Sequence, residues 1–326
     1  MSVEVCASCL SNGGVCVLPT ETVYGLAGSA ISSNAIKKIY KIKGRPPNNP
    51  LIVHVLDHES AFDFCHTNNV SKILADAFWP GPLTFILPKK DIISNSVTAG
   101  LDTVAVRSPA HPLFRKVLEK VEFPIAAPSA NLSTQISPTS KRDVLDAMGK
   151  NCPYILDGGT CNFGIESTVI DLTDSPVKIL RHGPISASEI ESKTGIKVNF
   201  PDSQEKSPTN EPQLNSPGQM SKHYAPTTPL RLFKSFDDLS NFHLNKKNDL
   251  IILPSNKTNL PVSLQKVQIF YLSKTGEFRD IAQNLFRVLR EADKIRKNFI
   301  NTHLLPEEEK YSAINDKLIR ASSINI

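Results

Sequence analysis

The stretch from Lys43 to His54, KGRPPNNPLIVH, brings two cations and two side-chain amides onto a short run of chain. Its three prolines remove backbone donors and disfavour helix, so we predict extended or turn geometry before a β-favouring run that begins at Leu51. Cationic and amide side chains on a stiff loop make the charge-assisted hydrogen bonds that hold a phosphate or a carboxylate. The same composition is typical of a solvated surface loop, so this stretch alone leaves both interpretations open.

Three further segments place hydroxyls or cations near the ends of predicted strands. Thr20-Glu21-Thr22 follows the first strand, where open α/β sheets bind ligands, although these residue types also start helices well. The strand TVAVR over 103–107 ends in an arginine that is suited either to clamping a carboxylate or to a structural salt bridge. The segment APSANLS over 127–133 supplies small residues and hydroxyls for a phosphate or ribose, or forms an ordinary turn.

Two successive predicted strands, Thr168–Leu172 and Val177–Arg181, have no helix between them. They must pair antiparallel or lie apart, and in an antiparallel pair Ser167 and Arg181 meet over one pocket. The chain has no serine in G-x-S-x-G and no P-loop. Abundant cations and hydroxyls without an obvious nucleophile or base favour catalysis by positioning and charge neutralisation.

These residues need a framework, and the chain divides into three regions. Residues 1–197 alternate strands irregularly with short helices, which predicts a twisted, mixed α/β sheet. Residues 198–229 hold six prolines among polar residues and are predicted to be a linker, with Lys222-His223-Tyr224 as a basic and aromatic cluster inside it. Residues 230–326 return to strand and helix periodicity, which predicts a smaller, three-layer Rossmann-like α/β domain.

Composition describes a soluble globular protein of 326 residues, with 40% apolar and 21% charged residues. No apolar run approaches the roughly 18 residues of a membrane span, and the N-terminus lacks a secretory pattern, so we expect a cytoplasmic protein without membrane contact. The Cys6-Ala-Ser-Cys9 pair has no second pair at zinc-finger spacing, and no metal site is predicted. The formal net charge is +5, and residues 231–326 carry 16 Lys/Arg against 11 Asp/Glu, which permits contact with a polyanion.

Seven collinear segments resemble the YrdC/Sua5 family of threonylcarbamoyl-AMP synthases: LPTETVYGL, KGRPPNNPLIVH, WPGPLTFILP, TVAVRSP, APSANLS, ESTVIDL and LRHGP. The similarity covers Val15 to about Gly195, and SPGQMSKHYAP with the appended domain resembles the longer Sua5 type. It implies a YrdC-like catalytic domain followed by a Sua5 C-terminal domain. It also implies a nucleotidyltransferase that turns L-threonine, bicarbonate and ATP into threonylcarbamoyl-AMP and pyrophosphate, with Mg²⁺. This is the first step of N6-threonylcarbamoyladenosine formation at tRNA position 37, and the product passes to a tRNA threonylcarbamoyl transferase.

The resemblance also assigns residues. Lys43 and Arg45 match its K-x-R motif and are implied to be catalytic, because they offset charge on the phosphates. Tyr224 matches the linker segment that folds over the occupied pocket, where a lid protects a carbamate from water. The implied ATP-binding residues are Lys43, Arg45, Asn49, Thr103, Ser129, Asn131, Thr139, Arg181 and Tyr224. The implied L-threonine-binding residues are Thr22, His54, Arg107, Ser129 and Ser167.

One end of the chain departs from the family pattern, because EEEKYSAINDKLIRAS stands where a glycine-rich turn and its helix are usual. That departure leaves open what the second domain recognises, including direct contact with tRNA. The rival interpretation is a module that binds double-stranded RNA or tRNA on a broad concave face. Residues 1–197 carry 19 Lys/Arg against 18 Asp/Glu, which argues against a large electrostatic footprint there.

Overall fold

The computed structural model of the chain describes residues 2–149, 152–199, 223–257 and 259–326. These residues fall into two compact units. Among the described residues, the first unit holds 2–133, 138–161 and 166–199, and the second holds 134–137, 162–165, 223–257 and 259–326. Most of the predicted linker, residues 200–222, lies outside the described residues.

A ten-stranded mixed sheet is the frame of the first unit. Its strands are β1 (Cys16–Leu18), β2 (Gly25–Ser29), β3 (Ile52–His54), β4 (Leu83–Pro88), β5 (Thr103–Arg107), β6 (Ile125–Ala126), β7 (Tyr154–Ile155), β8 (Thr168–Asp171), β9 (Val177–Arg181) and β10 (Val198–Asn199). They lie in the order β10-β9-β8-β4-β5-β3-β6-β2-β1-β7. Four pairs are parallel (β3–β5, β4–β8, β1–β7 and β9–β10) and the other five are antiparallel, which confirms the predicted mixed sheet.

Helices cover the two faces of this sheet unequally. They are α1 (Val3–Ser11), α2 (Ser33–Lys43), α3 (His58–Ala61), α4 (Asn69–Phe78), α5 (Asn95–Thr98), α6 (Pro112–Val121), α7 (Lys141–Met148) and α8 (Ala187–Thr194). Helices α2, α4, α7 and α8 contribute to the largest apolar cluster, which also includes alternate residues of β4 and β5. Helices α1 and α6 form a second cluster with β1, β2 and β6.

A third, small apolar cluster contains strand residues and no side chain from the described helices. Successive side chains of a strand point to opposite faces, so Thr84, His54 and Arg107 lie on the same face as this cluster. Polar side chains therefore frame a small apolar surface on one face of the sheet. We call this surface the apolar floor; it consists of Ile52, Ile86, Ala105 and Val169, with Leu180 packed against it.

The second unit contains a five-stranded sheet in which every pair of neighbouring strands is parallel. Its elements are β11 (Leu230–Phe233), α9 (Phe236–Asn241), β12 (Asp249–Ser255), β13 (Gln268–Ser273), α10 (Phe278–Lys294), β14 (Phe299–His303), α11 (Ser312–Ala321) and β15 (Ile324–Asn325), with strand order β13-β12-β14-β11-β15. This arrangement confirms the predicted Rossmann-like class. Strand β14 was not predicted from the sequence, because Asn301 and Thr302 make the segment polar. Both side chains are buried and donate hydrogen bonds to carbonyls of β12.

Candidate active site

The cationic loop begins where helix α2 ends. Gly44 adopts a left-handed conformation (φ 58°), which stops the helix directly after Lys43. The Lys43 side chain is buried, and its ammonium Nζ donates to the backbone carbonyls of Ser129 and Asn131. Burial lowers the pKa of Lys43 well below its usual value, and the charge of Arg45 adds to the effect. An anion bound beside Lys43 would therefore raise its pKa and restore its charge.

Arg45 and Asn49 are joined by the turn that the prolines impose. The Arg45 guanidinium donates to the Asn49 side-chain oxygen and to the carbonyls of Asn49 (3.1 Å) and Pro50 (2.7 Å). Asn49 is fully buried, and its amide nitrogen Nδ2 has no hydrogen-bond partner in the described part of the chain. Leaving a buried donor unpaired costs about 1–3 kcal/mol, so a ligand acceptor at this position would be stabilising.

Arg107 is the best-anchored cation of the site. Its Nε donates to the Gly81 carbonyl (3.0 Å), Nη1 to the Thr22 hydroxyl (3.0 Å) and Nη2 to the Glu21 carboxylate (2.6 Å). Glu21 also accepts the backbone N–H of Ala110 (3.0 Å), and both members of the ion pair are buried. The structural salt bridge that the sequence left open is therefore present. Two of the five guanidinium N–H donors remain after these three bonds, which suffices for a ligand carboxylate.

His54 sits beside Arg107, because β3 and β5 pair in parallel with these two residues in register. Its Nδ1 lies 3.3 Å from the Ile125 carbonyl, and its ring centroid is 5.1 Å from that of Phe114. Burial, with a further contribution from the Arg107 charge, lowers the pKa of His54 to about 3. The imidazole is therefore neutral at physiological pH and can offer a hydrogen bond without adding charge.

Ser167 and Arg181 meet as the strand pattern predicts, because β8 and β9 pair antiparallel. The Arg181 guanidinium donates to the Ser167 carbonyl (2.8 Å from Nη2) and to its hydroxyl (3.0 Å). The Ser167 hydroxyl also lies 2.8 Å from that of Thr84 on β4. Gly183 passes so close to this strand end that an added Cβ would lie 2.2 Å from the Thr168 nitrogen, so only glycine fits there.

The remaining predicted site residues occupy three different places. Thr103 begins β5, where it pairs with Pro88 at the end of β4. Thr139 is buried, and its hydroxyl donates to Asp143 (3.0 Å). Tyr224 belongs to the second unit, where its ring stacks on Phe286 with centroids 5.1 Å apart. The ligand roles of all the predicted residues, including the lid role of Tyr224, stay predictions.

Two residues that matter to this geometry were not predicted as site residues. Glu21 neutralises Arg107, and Thr84 contacts Ser167. The signal for Glu21 was its place between two threonines after the first strand, and Thr84 lies inside the WPGPLTFILP segment. Both contacts join residues at least 83 positions apart, so local patterns could not identify the partners.

The donor set was also tested for Mg²⁺. In the described ranges, no group of three or more His, Cys, Asp or Glu side chains is placed to hold a metal ion. Mg²⁺ binds proteins mainly through one or two carboxylates together with substrate phosphates. These residues therefore do not fit a resident all-protein magnesium site. Similarly, none of the described helices is long and apolar enough to span a bilayer.

The fold and the site define a mixed α/β domain with buried cationic side chains around one face of its sheet, and comparison with known proteins gives its family. A family model described as telomere recombination, for Sua5, YciO and YrdC proteins, matches residues 8–183. A second model, described as the C-terminal domain of threonylcarbamoyl-AMP synthase, matches residues 185–323. The threonylcarbamoyl-AMP synthase of Pyrococcus abyssi is 37% identical over 331 residues, covering 99% of this chain and 95% of the relative. The Bacillus subtilis enzyme of the same name is 36% identical, covering 97% and 91%.

Two solved structures are similar to this chain, one over nearly its full length and one over about half of it. The crystal structure of P. abyssi Sua5 complexed with L-threonine has a TM-score of 0.88 and 34% identity, covering 99% of this chain and 96% of that one. Escherichia coli YciO, at 24% identity and a TM-score of 0.50, covers 56% of this chain and shows the fold of that part alone. The chain belongs to the Sua5/YrdC family of threonylcarbamoyl-AMP synthases, and its second domain places it in the Sua5 type.

Proposed function

We propose that this protein condenses L-threonine, bicarbonate or CO₂, and ATP into threonylcarbamoyl-AMP and pyrophosphate. The relatives that support the proposal bear the name of that enzyme, and one was crystallised with L-threonine. In this proposal residues 1–197 form the catalytic domain, residues 198–229 the linker and lid, and residues 230–326 the Sua5 domain. The product would pass, in the cytoplasm, to a transferase that modifies tRNA at position 37.

One observation supports the proposal: two separate sets of polar and cationic side chains lie at the two ends of the apolar floor. Arg107, with two donors remaining, and neutral His54 lie at one end, and both suit an amino-acid carboxylate and its neighbouring polar atoms. Lys43 and Arg45 lie at the other end, where β3 begins. Strand β3 has three residues, which is about 7 Å from end to end, so two ligands held at these ends would touch.

The proposed chemistry needs positioning more than proton transfer. Bicarbonate takes up a proton and loses water to give CO₂; the deprotonated threonine amine adds to CO₂, and one amine proton passes to solvent as the carbamate forms. A carbamate oxygen then attacks the α-phosphorus of ATP in line, the bond to the bridging oxygen breaks, and pyrophosphate leaves with its electron pair. Lys43 and Arg45 would stabilise charge on the phosphates, while Arg107 fixes the threonine carboxylate. Mg²⁺ would enter as the counter-ion of the ATP substrate.

The test is pyrophosphate release that depends on both threonine and bicarbonate. Lys43→Ala and Arg45→Ala should each lower kcat/KM by at least 100-fold, the loss expected when a donor to developing charge is removed. Lys41→Ala is the matched control, since Lys41 is exposed on the same last turn of α2. Unchanged activity in both site variants would refute the assignment, and activity without threonine would refute the reaction.

A further inference from the structure

In the second unit, basic and acidic residues are distributed differently at the two ends of the parallel strands. Because all five strands are parallel, their amino-terminal ends lie along one edge of the sheet and their carboxyl ends along the other. The loops that enter β12 and β14 touch at the amino-terminal edge, where the Lys297 ammonium donates to the Lys247 carbonyl (2.6 Å) and the Asn298 N–H to the Asn248 carbonyl (2.8 Å). Helix α10 starts after β13 and returns to this edge before β14 begins.

These loops are rich in basic residues. All of those at this edge are exposed except Lys297, which is half-buried. Adjacent strands lie about 4.8 Å apart, so the charges on neighbouring loops are separated by about 5–10 Å. We call this surface the amino edge; its basic residues are Lys246, Lys247, Lys266, Lys294, Arg296 and Lys297.

The acidic residues of the described loops along the amino edge are each engaged elsewhere. Asp249 is buried, 3.6 Å from Arg231, and accepts the Asn245 N–H. Asp293 accepts the backbone N–H groups of the two threonines at 227 and 228. Glu291 pairs with Arg287 on the same helix (2.9 Å). With six basic residues against these three acidic ones, the amino edge carries an excess of positive charge.

The opposite edge has the reverse balance. Its described loops carry seven acidic residues against five basic ones, and the two signs are mixed along it. The acidic residues are Asp237, Asp238, Glu277, Asp280, Glu307, Glu308 and Glu309, and the basic ones are Lys234, Lys257, Lys274, Arg279 and Lys310. The positive surface is therefore confined to one edge of the sheet.

We propose that the amino edge binds the phosphate backbone of RNA, with tRNA as the partner. A row of exposed lysine and arginine side chains spaced by about 5–10 Å suits successive phosphates, which supply most of the affinity in such contacts. Two large hydrophobic residues are exposed near this edge, Val262 and Ile295, but neither is the Trp, Phe or Leu that membrane-surface segments present to the bilayer. The choice of tRNA rests on the proposed function, whose product is destined for tRNA.

The experiment measures binding of the full-length protein to an unmodified tRNA transcript by fluorescence anisotropy between 50 and 200 mM salt. The test variant combines Lys246→Glu, Lys266→Glu and Arg296→Glu. The matched control combines Lys234→Glu, Lys257→Glu and Lys274→Glu, which changes three exposed cations at the opposite edge by the same net charge. Each phosphate contact contributes about 0.9 to the slope of log K against log salt, so the test variant should lose about 3 from the slope magnitude and on the order of 100-fold in affinity.

Three outcomes would overturn the proposal. They are equal weakening by both triple variants, no tRNA binding by the wild type at 50 mM salt, and binding of phosphatidylserine vesicles but not of tRNA. Pyrophosphate release should stay unchanged in both variants, since all six substituted residues belong to the second unit. If the wild type binds tRNA at this edge but releases no pyrophosphate, the proposed function fails and the RNA surface stands as a separate finding.

Discussion

Because His54 is neutral in the folded protein, we predict that the free energy of unfolding depends on pH. Burial beside Arg107 lowers the pKa of His54 to about 3 in the folded protein, against 6.5 for a solvated histidine. At a pH between these two pKa values, His54 is protonated in the unfolded chain and neutral in the folded chain. Folding stability must therefore fall as the pH is lowered from 6.5 towards 3. One pKa unit corresponds to about 1.4 kcal/mol, and half of the unfolded histidine is already protonated at pH 6.5, so His54 should remove about 2 kcal/mol of stability between pH 6.5 and pH 4.5.

The perturbation is His54→Asn, which keeps a side-chain donor near the Ile125 carbonyl but cannot be protonated. Urea unfolding is followed by the fluorescence of Trp79, the single tryptophan, which lies in the first unit and stacks on Phe85. Between pH 7.5 and pH 4.5, the free energy of unfolding of the wild type should fall by about 3 kcal/mol more than that of the variant. Contributions from carboxylates are common to both proteins and cancel in the difference.

The matched control is His66→Asn, a histidine of the same unit whose side chain is exposed. It should lose as much stability on acidification as the wild type. The reasoning is refuted if wild type and His54→Asn show the same loss, because His54 would then be free to take a proton in the folded state. A neutral His54 also means that any change in activity between pH 6 and pH 8 must come from another group.

Two further predictions concern the ion pair at the threonine end of the site. Arg107→Lys replaces the forked guanidinium by a single ammonium and should raise the KM for threonine about 30-fold, which corresponds to a loss of about 2 kcal/mol in charged hydrogen bonds. The KM for ATP should change less than threefold. Equal changes in both KM values would contradict the placement of the threonine carboxylate at Arg107. Glu21→Gln keeps the shape of the side chain but leaves the buried guanidinium without its counter-charge, so urea unfolding should show a loss of about 3 kcal/mol. An unchanged midpoint would show that Arg107 is solvated, and Glu59→Gln, at an exposed carboxylate, is the control.

Local sequence accounts for the elements that present the site. Serine and asparagine caps start α2, α4, α7 and α8, and Gly44 ends α2 so that the cationic loop follows directly. Three prolines and a β-favouring run were enough to predict the extended loop and the strand after it. Ser167 and Arg181 could be predicted to meet because only a short turn separates their strands. In each case the deciding interactions join residues no more than 14 positions apart.

The partners of the central charges could not be predicted in this way. Arg107 and Glu21 are 86 residues apart, and Lys43 reaches carbonyls 86 and 88 residues away. Whether Arg107 was a ligand clamp or a structural ion pair stayed open in the sequence, and the folded chain makes it an ion pair with two donors to spare. Strand β14 was missed for a related reason, because its polar residues look like a loop until carbonyls of β12 accept their hydrogen bonds.

Residue types alone therefore predicted groups that suit a phosphate or a carboxylate, since charge and hydrogen-bonding capacity belong to each side chain separately. The order of strands in the sheet decided which of these groups lie close together. That order arises from burying apolar side chains on both faces at once, a requirement of the whole chain that no short segment encodes. The neutrality of His54 and the low pKa of Lys43 have the same origin, because both follow from burial that only distant segments supply.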